Sequence, residues 1–143
     1  MKRLFLTFVC ALFSASAALH AANDGEVAAR RTALDIAGAF TNDGFKLRDG
    51  FWAGSFAPGE PKILQVNLYA GNQYYFTLGA TAAAKKVMVT VYDETGKPIQ
   101  GDPFQDTSVA ATGFSPDNSG IFFVKIEVVE GAAADFCLVY SYK

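Results

Sequence analysis

From Phe45 to Lys143, apolar and polar residues alternate with a period of two, broken at short intervals by glycine, proline, asparagine and aspartate. That period places successive side chains on opposite faces of an extended chain, so it predicts half-buried β-strands. Phe45-Lys46-Leu47 and Phe51–Phe56 are short strand candidates, closed by the turn Ala57-Pro58-Gly59-Glu60-Pro61. Leu64, Val66 and Leu68 alternate with Gln65 and Asn67, and Tyr74, Phe76 and Leu78 resume the pattern after Ala70-Gly71-Asn72-Gln73. Those two runs read as a hairpin. Val87, Val89 and Val91 share one face of the next strand, with Met88, Thr90 and Tyr92 on the other. Asp93-Glu94-Thr95-Gly96 suits a type I turn with glycine in the left-handed position.

Gln100 to Ser108 is polar and contains a proline, so it reads as a connection before a short strand near Val109–Phe114. Ser115–Gly120 is a turn cluster. Ile121–Val129 is apolar on both faces apart from Lys125 and Glu127, which predicts a central strand, and Asp135–Tyr142 predicts the last one. Residues 23–41 follow another rhythm. Asn23 or Asp24 caps a predicted helix, Val27, Leu34, Ala37 and Phe40 fall on one side, and Asn42-Asp43-Gly44 ends it. The predicted fold is therefore all-β: an antiparallel β-sandwich or jelly roll of about eight strands, preceded by one short helix. The helix segment, 23–44, either docks on the β-domain, 45–143, or serves as a leader.

The first 22 residues change the inventory. Lys2 and Arg3 precede the apolar run Leu4–Phe13, and Ser14–Ala18 leads into Leu19-His20-Ala21-Ala22. That order of charge, apolar core and small residues is expected of a secretory signal peptide, cleaved after Ala21 or Ala22, with Ala17 and Ala18 as further small-residue positions. The run is shorter than the ~20 apolar residues of a membrane span. Cys10, preceded by Thr7-Phe8-Val9, lacks a lipid-attachment context. Export to the periplasm or exterior of a Gram-negative cell is the expected localisation, with no membrane span after cleavage.

Without Lys2 and Arg3, the twelve basic residues fall to ten against fourteen acidic ones. A mildly acidic domain argues against nucleic acid and anionic membranes as partners. Of two cysteines only Cys137 remains, so no internal disulfide forms, and Cys137 reads as a small packed side chain in the last strand. The single histidine, His20, leaves with the signal or stays at the new terminus. That removes Ser-His-Asp and Cys-His catalysis and histidine-ligated metals from the folded domain.

Residues 50–142 carry Gly54-Ser55-Phe56, Ala70-Gly71 before Tyr74-Tyr75-Phe76-Thr77-Leu78, Val91-Tyr92-Asp93 leading to Gly96, Ser119-Gly120-Ile121-Phe122, and Phe136-Cys137-Leu138. In order and spacing this resembles the bacterial pre-peptidase C-terminal domain, here in a stand-alone secreted form. The resemblance implies a β-sandwich and a non-catalytic accessory role: aiding export, keeping a neighbour soluble, or binding an extracellular polymer or protein. The acidic pattern that such domains carry entering the central strand is replaced by Val87-Met88-Val89. A calcium role is therefore not carried over with it.

Three sets of side chains are candidates for function. Asp93, Asp102, Asp106 and Asp117, with Glu94, lie in predicted turns or loops, where carboxylates and carbonyls could supply the oxygen ligands of calcium. No other cofactor is expected. Thirteen phenylalanines, six tyrosines and one tryptophan exceed what a small core needs, so some rings face outward. Trp52, Tyr69, Tyr75, Tyr92 and Phe122 are the candidates for stacking on sugars or packing on a protein, with Tyr74 and Phe123 as the other choices in their pairs. Asp93/Glu94 and Glu127/Glu130 are carboxylate pairs of the type a glycosidase uses. The function expected is a secreted, non-catalytic accessory or binding domain that recognises an extracellular polysaccharide or protein. The alternatives are an assembly protein that pairs through a strand edge or apolar face, and a small carboxylate-based hydrolase.

Overall fold

Val87, Val89 and Val91 turn to one side of their strand and Met88, Thr90 and Tyr92 to the other, and only the valines are buried. The computed structural model describes residues 23–143. The expected signal segment, with its cleavage positions, Cys10 and His20, lies outside the described residues. A helix, α1 (Asp24–Thr41), precedes nine strands. These are β1 (Lys46–Leu47), β2 (Trp52–Phe56), β3 (Lys62–Leu68), β4 (Tyr74–Ala80), β5 (Ala84–Tyr92), β6 (Asp102–Asp106), β7 (Val109–Phe114), β8 (Gly120–Gly131) and β9 (Ala134–Tyr142).

The strands form two antiparallel sheets, as the alternation predicts. The larger has the order β1-β9-β4-β7-β6, and β2 pairs with β9 on the same edge as β1. The smaller has the order β3-β8-β5. Phe76, Leu78 and Leu138 of the large sheet meet Val87, Val124 and Ile126 of the small one, all fully buried. One such side chain contributes on the order of 2 kcal/mol when taken from water, so this layer dominates stability.

The helix docks on the outer face of the large sheet. Asn23 caps it, its side-chain oxygen accepting from the Glu26 backbone N–H at 2.7 Å. The buried stripe is Ala29, Ala33 and Ala37, against Cys137 and Val139 of β9. Of the expected face, Ala37 is buried, Leu34 packs beside it and Phe40 stacks on Tyr75, whereas Val27 is 51% exposed, which corrects that one position. Small side chains win since the helix lies nearly on the sheet backbone. A Cβ at Gly79 of β4 would fall 2.5 Å from the Ala33 nitrogen and closer still to the Ala29 carbonyl oxygen.

Two further expectations are corrected. β3 and β4 are not a hairpin: β3 pairs with β8, while β4 pairs with β7 and β9. Both strands bury one face in the same core, and the chain crosses between sheets at Tyr69–Gln73, so alternation alone does not name the partner. The polar segment after Gly101 contains the strand β6, paired with β7. It is an edge strand, exposed throughout, where Pro103 is tolerated.

Candidate functional site

Six strands face three, and part of the inner face of the large sheet stays open beside the free edge of β3. The even-numbered residues of β9 point inward, and along the strand they change from Phe136 and Leu138 to Tyr140 and Tyr142. Beside them stand Trp52 of β2 and Tyr74 of β4. The Trp52 and Tyr140 rings are nearly parallel at 6.0 Å, and Tyr74 meets Tyr140 edge-on at 6.1 Å. These rings floor a groove of about 510 Å³. Its other wall is β3, through Gln65, Val66 and Asn67, continued by Tyr69 and Asn72 of the following loop.

That loop is fixed. The Tyr74 hydroxyl oxygen accepts from the Tyr69 backbone N–H and from Asn72 Nδ2, each at 3.0 Å. Tyr69, in consequence, is held at the groove mouth while the residue remains 63% exposed. Tyr142 is 37% exposed at the same mouth. The short connection between β1 and β2 brings in Arg48, whose backbone N–H donates to the Tyr140 carbonyl at 3.0 Å. Its guanidinium lies over the Tyr140 ring, 5.1 Å from the centroid. Burial pushes the Tyr140 phenol above its ordinary range, and the Arg48 charge opposes that shift. The phenol is therefore a neutral hydrogen-bonding group at any physiological pH.

Of the aromatic candidates, Trp52 and Tyr69 meet in this groove, while Tyr75, Tyr92 and Phe122 lie elsewhere. Tyr75 does leave the sandwich core, but α1 covers it: it stacks on Phe40 at 4.2 Å and meets Phe45 edge-on at 5.1 Å. Its ring crosses over Gly113 so that its hydroxyl donates to Asp102 Oδ2 at 2.9 Å. Burial and that carboxylate raise its pKa. Tyr92 stands on the outer face of the small sheet near Lys125. Phe122 packs inward against Phe114.

The acidic candidates do not converge. Asp93 and Asp117 line one surface pocket of about 340 Å³, whereas Asp102 and Asp106 lie on β6. Asp93 already closes its own turn. Its Oδ1 accepts from the Thr95 hydroxyl and backbone N–H and from the Lys97 N–H, and these bonds, the hydroxyl foremost, lower its pKa. Among the described residues, no three acidic, cysteine or histidine side chains are grouped to hold a metal ion. Glu127 pairs with Lys125 at 2.9 Å, which raises the lysine pKa, and Glu130 lies 4.0 Å from Lys86.

Tyr140, Tyr142, Arg48, Gln65, Asn67 and Asn72 were not candidates in the sequence. One signal was present. A strand whose inward positions end in Tyr-x-Tyr instead of aliphatic residues must bring phenol hydroxyls to water or to partners, which marks the uncovered part of the face. No family model matches the chain, and no curated protein matches it. No helix among the described residues is long and apolar enough to cross a membrane.

Proposed function

We propose that the groove between β3 and the Trp52–Tyr140 floor binds a saccharide segment of an extracellular polymer, as a non-catalytic recognition site. The observation that carries this reading is the composition of the groove. Aromatic rings offer flat faces for the C–H faces of sugar rings, and the Asn72 amide with the phenol hydroxyls of Tyr69, Tyr140 and Tyr142 supplies groups that donate and accept, as sugar hydroxyls do. The rings are packed and the loop is pinned, so little ordering opposes binding. An exported accessory domain, as the N-terminal segment and the resemblance to pre-peptidase C-terminal domains imply, would meet such polymers.

Tyr69→Ala and Tyr142→Ala remove exposed rings from the mouth. Each is expected to weaken binding about fivefold, the loss of about 1 kcal/mol from one aromatic contact, with the circular dichroism spectrum unchanged. Calorimetric titration with an oligosaccharide panel measures this. Equal affinities for the variants and the natural chain, or no binding to any member, would refute the proposal.

A second reading has its own support. The outer face of β3-β8-β5 carries Ile63, Met88, Ile121 and Val129, with Ile63 64% exposed on the edge strand. Such a face suits pairing with another chain. If it does, sedimentation velocity shows oligomers that grow with concentration, and Ile63→Lys returns the protein to monomer. A monomer at every concentration, with no protein partner retained on this face, would remove that reading.

A further inference from the structure

Among the described residues, Arg48 is the one charged residue lining the groove; the others are aromatic, amide or valine. Among the described residues it has no carboxylate partner within ion-pair distance and no side-chain hydrogen bond. Its guanidinium stands 5.1 Å from the Tyr140 ring centroid, a cation–ring contact that uses none of its N–H donors in a hydrogen bond and leaves them for an acceptor from outside. The described chain is acidic, with ten basic against fourteen acidic residues, so a lone arginine at this position does not belong to a general basic field. Building on the saccharide reading, we infer that the groove selects an acidic sugar, with Arg48 receiving the carboxylate of a uronic acid while Tyr69 and Trp52 hold the rings beside it.

The geometry fits that chemistry. A sugar carboxylate is planar and projects from the ring edge, so a ring lying on the aromatic floor presents it sideways, toward the groove wall. A guanidinium meets such a group with two parallel N–H donors, which a lysine could not reproduce. The net negative charge of the chain opposes an anion only weakly here, because at physiological salt charges beyond about 8 Å are largely screened. The local arginine decides the sign.

The test pairs oligomers of galacturonate, mannuronate and glucuronate-containing hyaluronan with their carboxyl-reduced counterparts, titrated calorimetrically into the natural chain, Arg48→Gln and Tyr69→Ala. At least one acidic oligomer is expected to bind about tenfold or more tightly than its reduced partner, the ratio set by a hydrogen bond to a charged group. Arg48→Gln should remove that preference, so that the acidic and reduced oligomers bind alike. Tyr69→Ala should weaken both members equally. Reduced oligomers that bind as well as acidic ones, or an acid preference that survives Arg48→Gln, would overturn the inference while the saccharide reading stands. Binding to no oligomer in either form would overturn both.

Discussion

Gly79→Val is expected to release α1 from the large sheet and leave the β-sandwich folded. Gly79 lies in an ordinary extended strand, so valine suits the backbone and even raises β-propensity. The obstacle is purely one of space. The first carbon of any side chain would meet the Ala29 carbonyl and the Ala33 nitrogen, and these are helix backbone atoms that cannot rotate away. Overpacking a yielding site costs about 1–3 kcal/mol; here the contacts are rigid and the helix must move instead. The helix layer is also the weaker one. It buries alanines, and it covers the Thr77 hydroxyl, which is buried with no hydrogen-bond partner among the described residues. The sandwich core is a separate cluster and keeps its own contacts.

Cys137 reports the event. It is fully buried beneath α1, so a thiol reagent should not modify it in the natural protein. In a Cys10→Ser background, Gly79→Val should make Cys137 react at the rate of an exposed thiol, with helical ellipticity lost and β-sheet signal retained. Gly79→Ala should lie between the two. An unreactive Cys137 and an unchanged helical signal in Gly79→Val would show that the helix accommodates the side chain.

The same contact explains how far the sequence could be read. The strands were legible because each buries one face, and valines 87, 89 and 91 against Met88, Thr90 and Tyr92 leave no other assignment. Strand partners were not, because the Leu64–Leu68 and Tyr74–Leu78 runs carry the same alternation whether they pair with each other or cross between sheets. The helix was legible from its cap and stop, and its sheet-facing side from Leu34, Ala37 and Phe40, but not at Val27. Hydrophobicity favoured Val27, whereas the close approach at Gly79 admits only alanine. Two of the groove residues, Trp52 and Tyr69, stood out as aromatic candidates; Arg48 did not, since its position depends on the short connection between β1 and β2. Tyr75 pointed outward from the sandwich as alternation allows, and only the docked helix turns it into a covered ring.

Alkaline pH should unlock this helix–sheet interface, through Cys137. Burial pushes its thiol from 9.0 up to about 11, with the Arg30 charge opposing that shift and Glu26 adding to it, both from α1. The folded state thus favours the neutral thiol, and the unfolded chain releases the proton first. The contribution is fully present below about pH 9 and is lost as pH rises through the folded pKa. Two pKa units correspond to about 3 kcal/mol. Tyr75 and Tyr140, also raised by burial, add alkaline instability of their own, but they do so equally in a Cys137→Ala variant. The difference in unfolding free energy between the natural chain and Cys137→Ala therefore isolates the thiol. Measured by urea denaturation in the Cys10→Ser background, that difference should change by about 3 kcal/mol between pH 8 and pH 11.5, to the disadvantage of the natural chain. Parallel curves across that range would mean that the thiolate is tolerated, which requires water to reach Cys137 beneath α1. The thiol reagent would then find it without any substitution at Gly79, so the two experiments check one another.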